Sequence, residues 1–202
     1  LQAFWPPLGI TAGATVLVPL CGKSRDLLWL AGEGYCVLGV EISPPGVEAF
    51  FAENSLSPEI IDAHPFRRYR VDDLEILCGD FFDLRPEQVT GVTALFDRAS
   101  LIALPPAMRP AYVRHLHELL PAGAQVNGLL VTLDYEQTEW PGPPFAVTPA
   151  EVNDLHGGHF HIQELAALDL LAMTPRYRER GLSRMMERVY RLTSKATTAA
   201  DS

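Results

Sequence analysis

Two short apolar runs, joined by a tight turn and a helical segment, constrain this chain more than any other feature. The run Val16–Val18 leads into the turn Pro19–Lys23, and a second run, Val37–Val40, is followed at once by Glu41. This order of apolar run, turn, helix and acid-tipped apolar run is the layout of a nucleotide-binding βαβ unit. The Gly-x-Gly-x-x-Gly pattern that such a unit usually carries is missing. The layout therefore predicts a nucleotide-like ligand. The missing glycine pattern limits the chain to those βαβ proteins that bind such a ligand through a different turn.

Further apolar runs alternate with helical patterns along the chain. Runs rich in Val, Leu and Ile are typical of strands buried on both faces of a parallel sheet. The predicted parallel strands are Ala14–Val18, Cys36–Val40, Leu74–Leu77, Ala94–Phe96 and Leu129–Leu133. Two later runs, Phe160–Leu165 and Met186–Leu192, have the pattern of an antiparallel pair. We therefore predict an α/β, Rossmann-like fold: a seven-stranded, mostly parallel sheet with helices on both faces and a C-terminal antiparallel hairpin.

The length of 202 residues fits a single compact domain. We expect that domain to span residues 1–193, with a disordered tail at 194–202, because the tail residues are small and polar. Ser24 and Ser43 are predicted to cap the first two helices. The Arg-rich insertion Ala63–Asp73 is predicted to be a mobile loop.

Composition excludes several classes of partner. The formal net charge of −9 argues against nucleic acid, which needs a basic surface. No apolar stretch is long enough to span a membrane, and nothing resembles a signal peptide. Three cysteines without a Cys-x-x-Cys pair predict reduced thiols and no metal site, and the histidines His156, His159 and His161 are predicted to lie in a solvated loop. We expect a cytoplasmic monomer that acts on a small molecule.

The turn and the acid after it are the first candidate binding residues. Ligands of open α/β sheets bind outside the carboxyl ends of the strands, where Leu20–Ser24 leaves the first strand. Gly22 lets the backbone approach a ligand, and the amides that open the next helix can receive a carboxylate. Glu41, about twenty residues further on, is placed to accept both hydroxyls of a ribose. The alternatives are a plain tight turn and an exposed acid.

The segment Gly79–Asp83 is the second candidate. Asp80 could accept a hydrogen bond from an adenine amino group, while Phe81 or Phe82 lies against the ring. The alternative is that the acids cap a turn and the two phenylalanines belong to the core. Asp97 and Arg98 end the fourth run, either as a simple ion pair or as ligand contacts.

These motifs occur in an order that resembles one known family. They are Val18–Ser24, Gly39–Ser43, Gly79–Leu84, Phe96–Pro105 and Pro141–Phe145. The chain resembles the thiopurine S-methyltransferase family, whose members depend on S-adenosylmethionine and have the class I methyltransferase fold, and a bacterial member is closer than an animal one. The resemblance covers residues 5–192, and the family departs from the usual glycine-rich turn as this chain does.

The resemblance implies a set of cofactor contacts for S-adenosyl-L-methionine and its product S-adenosyl-L-homocysteine. The set comprises Trp5, Leu20, Cys21, Gly22, Glu41, Asp80, Phe81 and Arg98. Trp5 would belong to an N-terminal segment that closes over the cofactor and whose start lies before Leu1. Arg98 would reach the cofactor carboxylate or the substrate. On the acceptor side, Arg176 would stabilise an anion, and Pro143–Phe145 would form an apolar wall for an aromatic substrate.

The implied reaction needs alignment more than acid–base chemistry, because methyl transfer from a sulfonium is an in-line displacement. We expect no covalent nucleophile and assign Cys21 to packing. The acceptor is expected to be an aromatic or heterocyclic thiol, and the alternatives are a selenium or tellurium compound and a non-catalytic S-adenosylmethionine-binding module. A nicotinamide-dependent oxidoreductase is disfavoured by the missing glycine pattern.

Overall fold

The chain forms two compact units. A computed structural model describes residues 1–120, 123–174 and 176–195, and for residue 176 the backbone alone. Unit 1 is built mainly from Leu1–Phe96, and unit 2 from residues 97–117 and the described residues after 122. The expectation of a single domain over residues 1–193 stays a prediction. Of the predicted tail, residues 196–202 lie outside the described residues.

Unit 1 contains a six-stranded sheet with two α-helices. Its elements are β1 (Thr15–Val18), α1 (Asp26–Gly32), β2 (Cys36–Glu41), α2 (Pro44–Glu53), β3 (Glu59–Ala63), β4 (Phe66–Val71), β5 (Leu74–Cys78) and β6 (Val92–Asp97, whose last residue falls in unit 2). The strand order is β3-β4-β5-β2-β1-β6. Strands β5, β2, β1 and β6 are parallel, whereas β3 and β4 are antiparallel to their neighbours. The predicted parallel strands of this half are confirmed.

The strand register brings the predicted binding residues of unit 1 to one edge. Glu41 pairs with Cys78 at the end of the β2–β5 ladder, and the amide of Gly79 donates to the carbonyl of Glu41 at 2.9 Å. The turn that begins at Pro19 follows β1, which is parallel to β2. The turn, Glu41 and the Gly79 segment therefore all leave the sheet at the carboxyl ends of its parallel strands, where such sheets bind ligands.

The predicted cap of α2 at Ser43 is present, whereas the prediction of Ser24 as the cap of α1 is wrong: Arg25 occupies the N-cap position, without a side-chain cap bond, and Ser24 lies one residue earlier. The hydroxyl of Ser24 accepts the amide of Asp26 at 3.2 Å, and the hydroxyl of Ser43 accepts the amide of Gly46 at 3.2 Å. Each bond satisfies one of the amides that a helix leaves unpaired at its first turn. The two loops at the ligand-binding edge are thus fixed where they enter their helices.

The predicted mobile loop Ala63–Asp73 is wrong, because most of it forms β4, which pairs with β3 in a hairpin. These two strands were not in the predicted count. Strand β3 is exposed on both faces, so no alternation of apolar and polar residues marks it in the sequence. Strand β4 is held by two buried aromatic side chains, Phe66 and Tyr69, among arginines. The arginines suggested a solvated loop, but they lie on the hairpin's surface.

Unit 2 contains a three-stranded antiparallel sheet with short helices. Its elements are α3 (Ser100–Ala103), α4 (Arg109–Leu119, of which the last two residues fall in unit 1), β7 (Asn127–Tyr135), α5 (Pro149–His156), β8 (Phe160–Asp169), α6 (Leu170–Met173), α7 (Arg176–Glu179) and β9 (Met185–Ser194). Strand β9 lies between β7 and β8. The predicted C-terminal antiparallel pair is confirmed. Ser194, predicted to begin the tail, instead ends β9, and its amide donates to the carbonyl of Val126 at 2.9 Å.

Candidate functional site

The turn after β1 has an unusual backbone. Leu20 and Gly22 have φ angles of +48° and +53°, in the left-handed region that side chains other than glycine rarely adopt. Between them, the amide of Cys21 donates to the carbonyl of Val40 at 2.9 Å, which ties the turn to β2. A left-handed leucine is a backbone strain of the kind found at binding sites. The turn is therefore a specific structure rather than a generic connection.

Glu41 is held in place by two main-chain amides. Its Oε2 accepts the amide of Gly22 and its Oε1 accepts the amide of Ser43, each at 2.9 Å. A carboxylate oxygen can accept two hydrogen bonds, so each keeps capacity for a ligand hydroxyl. The structure thus brings together Gly22 and Glu41, which the sequence placed at one site. The carboxylate is oriented before any ligand binds.

The thiol of Cys21 is a packing group. Its side chain is 6% exposed, and its Sγ lies 2.9 Å from the position that a Cβ on residue 39 would occupy, so Gly39 gives it room. Burial, and then the negative charge of Glu41, raise the pKa of this thiol well above its usual range. A buried, protonated thiol is a poor nucleophile, because the thiolate is the reactive form.

In the segment after β5, Asp80, Phe81 and Phe82 have three different environments. Asp80 accepts the amide of Phe82 at 2.9 Å and begins a 3-10 turn at Phe81–Asp83. Phe81 is 5% exposed and belongs to the core, whereas Phe82 is 38% exposed. Phe82 is therefore the better placed of the two rings to lie against a ligand. Asp80 is exposed and keeps an oxygen that does not serve as the cap.

Trp5 lies in the core of unit 1. Its indole is 1% exposed and meets the rings of Tyr35 and Phe96 edge-on, at centroid distances of 5.9 and 6.0 Å. Within the described part of the chain, its buried Nε1 has no hydrogen-bond partner. A cofactor could touch this side chain only if the N-terminal segment moved, because the ring has almost no accessible surface. The implied cofactor contact of Trp5 stays a prediction.

In unit 2, Asp97 and Arg98 have different environments. Asp97 is buried and accepts the hydroxyl of Tyr112 at 2.7 Å and the amide of Ser100 at 3.2 Å, and burial raises its pKa. Arg98, the next residue, is exposed. Asp97 therefore anchors the start of α3, whereas Arg98 lies on the surface of unit 2.

The Pro143–Phe145 wall is fixed by two hydrogen bonds. The hydroxyl of Tyr135 donates to the carbonyl of Pro144 at 2.6 Å, and the amide of Phe145 donates to the carbonyl of Ile102 at 2.6 Å. Gly142 has a φ of +79°, and a Cβ there would lie 2.5 Å from the ring of Phe145. The ring can occupy this place only because residue 142 is glycine.

A buried arginine supports the wall, and sequence patterns did not reveal it. Arg109 is 1% exposed and donates to the carbonyls of Leu101 and Ala146, each at 3.0 Å. It also makes two bonds to the carboxylate of Glu151, at 2.7 and 2.9 Å. Arginine in a helix is usually exposed, so no signal in the sequence marked it.

Arg176, predicted to stabilise an anion, begins α7, but its side chain lies outside the described structure.

The predicted solvated histidine loop is wrong for His156. Its ring is fully buried, and its Nδ1 lies 3.3 Å from Nε2 of His117. The rings of His117 and His159 are 3.9 Å apart between centroids. Burial, and then the charges of the neighbouring histidines, lower the pKa of His117 to about 3 and that of His156 to about 4. Despite this proximity, no group of metal-ligating side chains in the described residues could hold an ion.

One cavity of unit 1 lies away from these residues. It has a volume of about 250 Å³ and is lined by residues at the starts of parallel strands, among them Thr15, Cys36 and Val92. These residues are at the opposite ends of their strands from the turn and Glu41. The candidate site is therefore distinct from this cavity and is defined by its hydrogen bonds. Across the residues described, no helix is both long and apolar enough to cross a membrane.

Comparison with solved structures identifies the fold. A phosphoethanolamine N-methyltransferase from Haemonchus contortus, in complex with S-adenosylhomocysteine, has a TM-score of 0.65 at 11% identity, and the match covers 95% of this chain and 52% of that one. An S-adenosylmethionine-dependent methyltransferase from Methanosarcina mazei also has a TM-score of 0.65, at 15% identity, covering 94% of this chain and 97% of that one. The chain thus has the class I methyltransferase fold, as predicted.

Sequence comparison then gives the family. The model of the thiopurine S-methyltransferase family matches residues 1–195. A protein from Pseudomonas fluorescens named thiopurine S-methyltransferase is 52% identical over 192 residues, which cover 95% of this chain and 87% of that one. The chain belongs to the thiopurine S-methyltransferase family. The predicted family, enzyme class and cofactor, S-adenosylmethionine, are thereby confirmed.

Proposed function

We propose that this protein transfers a methyl group from S-adenosylmethionine to the sulfur of an aromatic or heterocyclic thiol, such as a thiopurine. The observation that carries the proposal is the Glu41 carboxylate, held by the amides of Gly22 and Ser43 at the ligand-binding edge of unit 1. The name of the Pseudomonas fluorescens relative supports a thiopurine-like acceptor.

The residues of unit 1 fit the cofactor. Glu41 would accept the two ribose hydroxyls, and Asp80, with Phe82 beside it, would bind the adenine. Leu20, Cys21 and Gly22 would line the methionine portion through the backbone of the turn, since the Cys21 side chain is buried. Phe81 would support the adenine segment from the core. When bound, the cofactor supplies a sulfonium methyl group.

The residues of unit 2 would hold the acceptor. The wall Pro143–Phe145 would offer apolar surface to an aromatic ring. Arg98 and Arg176 would stabilise the acceptor as a thiolate, because a nearby guanidinium lowers the pKa of a thiol. No protein nucleophile would be needed, because the acceptor thiolate held by these residues would itself be the nucleophile.

We propose that this protein acts as a monomer in the cytoplasm. Its three cysteines form no disulfide, which suits a reducing compartment. Size-exclusion chromatography with light scattering would test the first proposal, and cell fractionation the second.

A methyl-transfer screen tests the proposed function. The purified chain is incubated with S-adenosylmethionine labelled in the methyl group and with a thiopurine, thiophenol, selenite or tellurite. We expect labelled thioether from the two organic thiols. Label on selenium or tellurium alone would instead support metalloid methylation, and S-adenosylhomocysteine binding without turnover of any acceptor would indicate a non-catalytic binding module.

The same screen tests the role of Arg98. The variant Arg98→Ala should lose at least tenfold in kcat/KM for thiophenol, because the thiolate loses a cationic partner. Arg114→Ala, which removes an exposed arginine of α4, is the matched control and should retain wild-type rates. Equal rates in the two variants would remove Arg98 from the site.

A further inference from the structure

A clasp joins the loop after β7 to the segment before β9. We define it by Glu139, Trp140, Tyr177, Arg180 and Ser183. The carboxylate of Glu139 accepts the amide of Ser183 at 2.8 Å. The guanidinium carbon of Arg180 lies 5.2 Å from the centroid of the Trp140 ring, and the Tyr177 ring is 6.3 Å from it between centroids. The clasp thus sets a cation and two aromatic rings side by side.

The clasp is attached to the proposed acceptor wall. The Tyr135 hydroxyl, which donates to the carbonyl of Pro144, lies 3.3 Å from the carbonyl of Trp140. That carbonyl also accepts the side-chain amide of Gln137 at 2.6 Å. The rings of Tyr135 and Trp140 are 5.9 Å apart, tilted by 37°. Trp140 is therefore held beside the wall by its backbone carbonyl and by its ring.

The aromatic ring of Trp140 and the positive charge of Arg180 are suited to binding a flat anion. The Trp140 ring is half-buried, so part of it can be covered by a ligand. Tryptophan is the best aromatic partner for a guanidinium, and stacked aromatic pairs gain free energy beyond their buried area. An aromatic thiolate can use both the ring and the cation. A small aliphatic thiolate or an inorganic anion can use the charge alone.

We propose that Trp140 and Arg180 determine acceptor specificity by selecting flat aromatic thiolates over small aliphatic ones. Trp140 stacks on the acceptor ring against the proline wall, and Arg180 keeps the indole in position and adds positive charge. This inference rests on the proposed function, because it assumes that the wall binds the acceptor. Neither residue takes part in breaking or forming a bond.

The test compares two acceptors in the same enzyme. Initial rates are measured with labelled S-adenosylmethionine for the wild type, Trp140→Phe, Trp140→Leu and Arg180→Ala, using thiophenol and 2-mercaptoethanol. For Trp140→Leu we expect the KM for thiophenol to rise about 3- to 10-fold, the range typical of a lost aromatic contact. The KM values for 2-mercaptoethanol and for S-adenosylmethionine should stay within twofold of wild type. Trp140→Phe should retain most of the preference.

The outcomes separate this inference from the proposed function. A wild-type enzyme that binds S-adenosylhomocysteine but methylates neither thiol would contradict the proposed function itself. An active wild type whose preference for thiophenol survives in both Trp140→Leu and Arg180→Ala would overturn the specificity role. An equal rise in KM for both thiols would also overturn it, because that result indicates a general structural effect. Arg180 is exposed, so its variant stays informative even if a Trp140 variant does not fold.

Discussion

Replacing Glu41 tests the binding turn most directly. Glu41→Gln keeps the size of the side chain but replaces one carboxylate oxygen with an amino group. That amino group faces the main-chain amide of either Gly22 or Ser43, each now 2.9 Å from a carboxylate oxygen. Two donors then meet, and one backbone amide loses its acceptor. Glu41→Ala removes both acceptors.

The expected losses of stability and of ligand affinity in Glu41→Gln follow from these hydrogen bonds. A hydrogen bond to a charged group contributes about 1.5–3 kcal/mol, and an unpaired buried donor costs about 1–3 kcal/mol. The carboxylate is half-buried, so we expect Glu41→Gln to lower the free energy of unfolding by about 1–2 kcal/mol. The ribose hydroxyls lose a charged acceptor as well. The Kd for S-adenosylhomocysteine should therefore rise about 5- to 150-fold, equivalent to about 1–3 kcal/mol.

Calorimetry with S-adenosylhomocysteine at 25 °C measures the Kd, and thermal unfolding without ligand measures stability. Glu53→Gln is the matched control, because its carboxylate pairs with Lys23 at 2.6 Å on the exposed surface. We expect the control to keep the wild-type Kd and to lose less than about 1 kcal/mol of stability. A folded Glu41→Gln protein that binds as tightly as wild type would refute the assignment of Glu41 to the ribose.

Three further predictions concern buried groups. The Tm should fall as the pH is lowered from about 6.5 to 4. The pKa of His117 in the folded protein, about 3, lies below its unfolded value near 6.5, so the unfolded chain takes up more protons in this range. His117→Phe should make the Tm, measured by scanning calorimetry, depend less on pH. Arg109→Leu leaves the Glu151 carboxylate without its cationic partner and should lower the free energy of unfolding by about 3–5 kcal/mol. The Tm should then be lower by about 6–20 °C. An unchanged Tm would contradict the anchoring role of Arg109. Cys21→Ala should lower kcat by less than tenfold, whereas complete loss in a folded variant would indicate covalent catalysis.

The sequence predicts the parallel core well, because buried strands leave a continuous apolar run. The prediction fails at β3 and β4, where burial rests on Phe66 and Tyr69 alone and arginines fill the positions between. Hydrophobic periodicity cannot mark a strand that is exposed on both faces, as β3 is. The buried His156 was missed for a related reason, since a polar side chain is buried here by partners, such as His117, that are distant in sequence.

At the candidate site, the sequence predicted the turn and Glu41 from spacing, and the structure joins them by a hydrogen bond. It could not distinguish Phe81 from Phe82, because adjacent aromatic residues look equivalent until the 3-10 turn assigns one to the core. The supports of the wall, Tyr135 and Arg109, act on backbone carbonyls. Such carbonyls exist at every residue, so spacing alone cannot reveal which ones are bound.

The contact between Gly22 and Glu41 has a consequence for how binding sites of this type can diverge. The carboxylate is oriented by main-chain amides, and almost any amino acid can supply an amide. Side chains around the turn can therefore be exchanged while the acid keeps its orientation, provided that the backbone path survives. A glycine motif is one means of securing that path, and the left-handed Leu20 shows another. Genome searches that rely on glycine spacing will overlook sites built in this way.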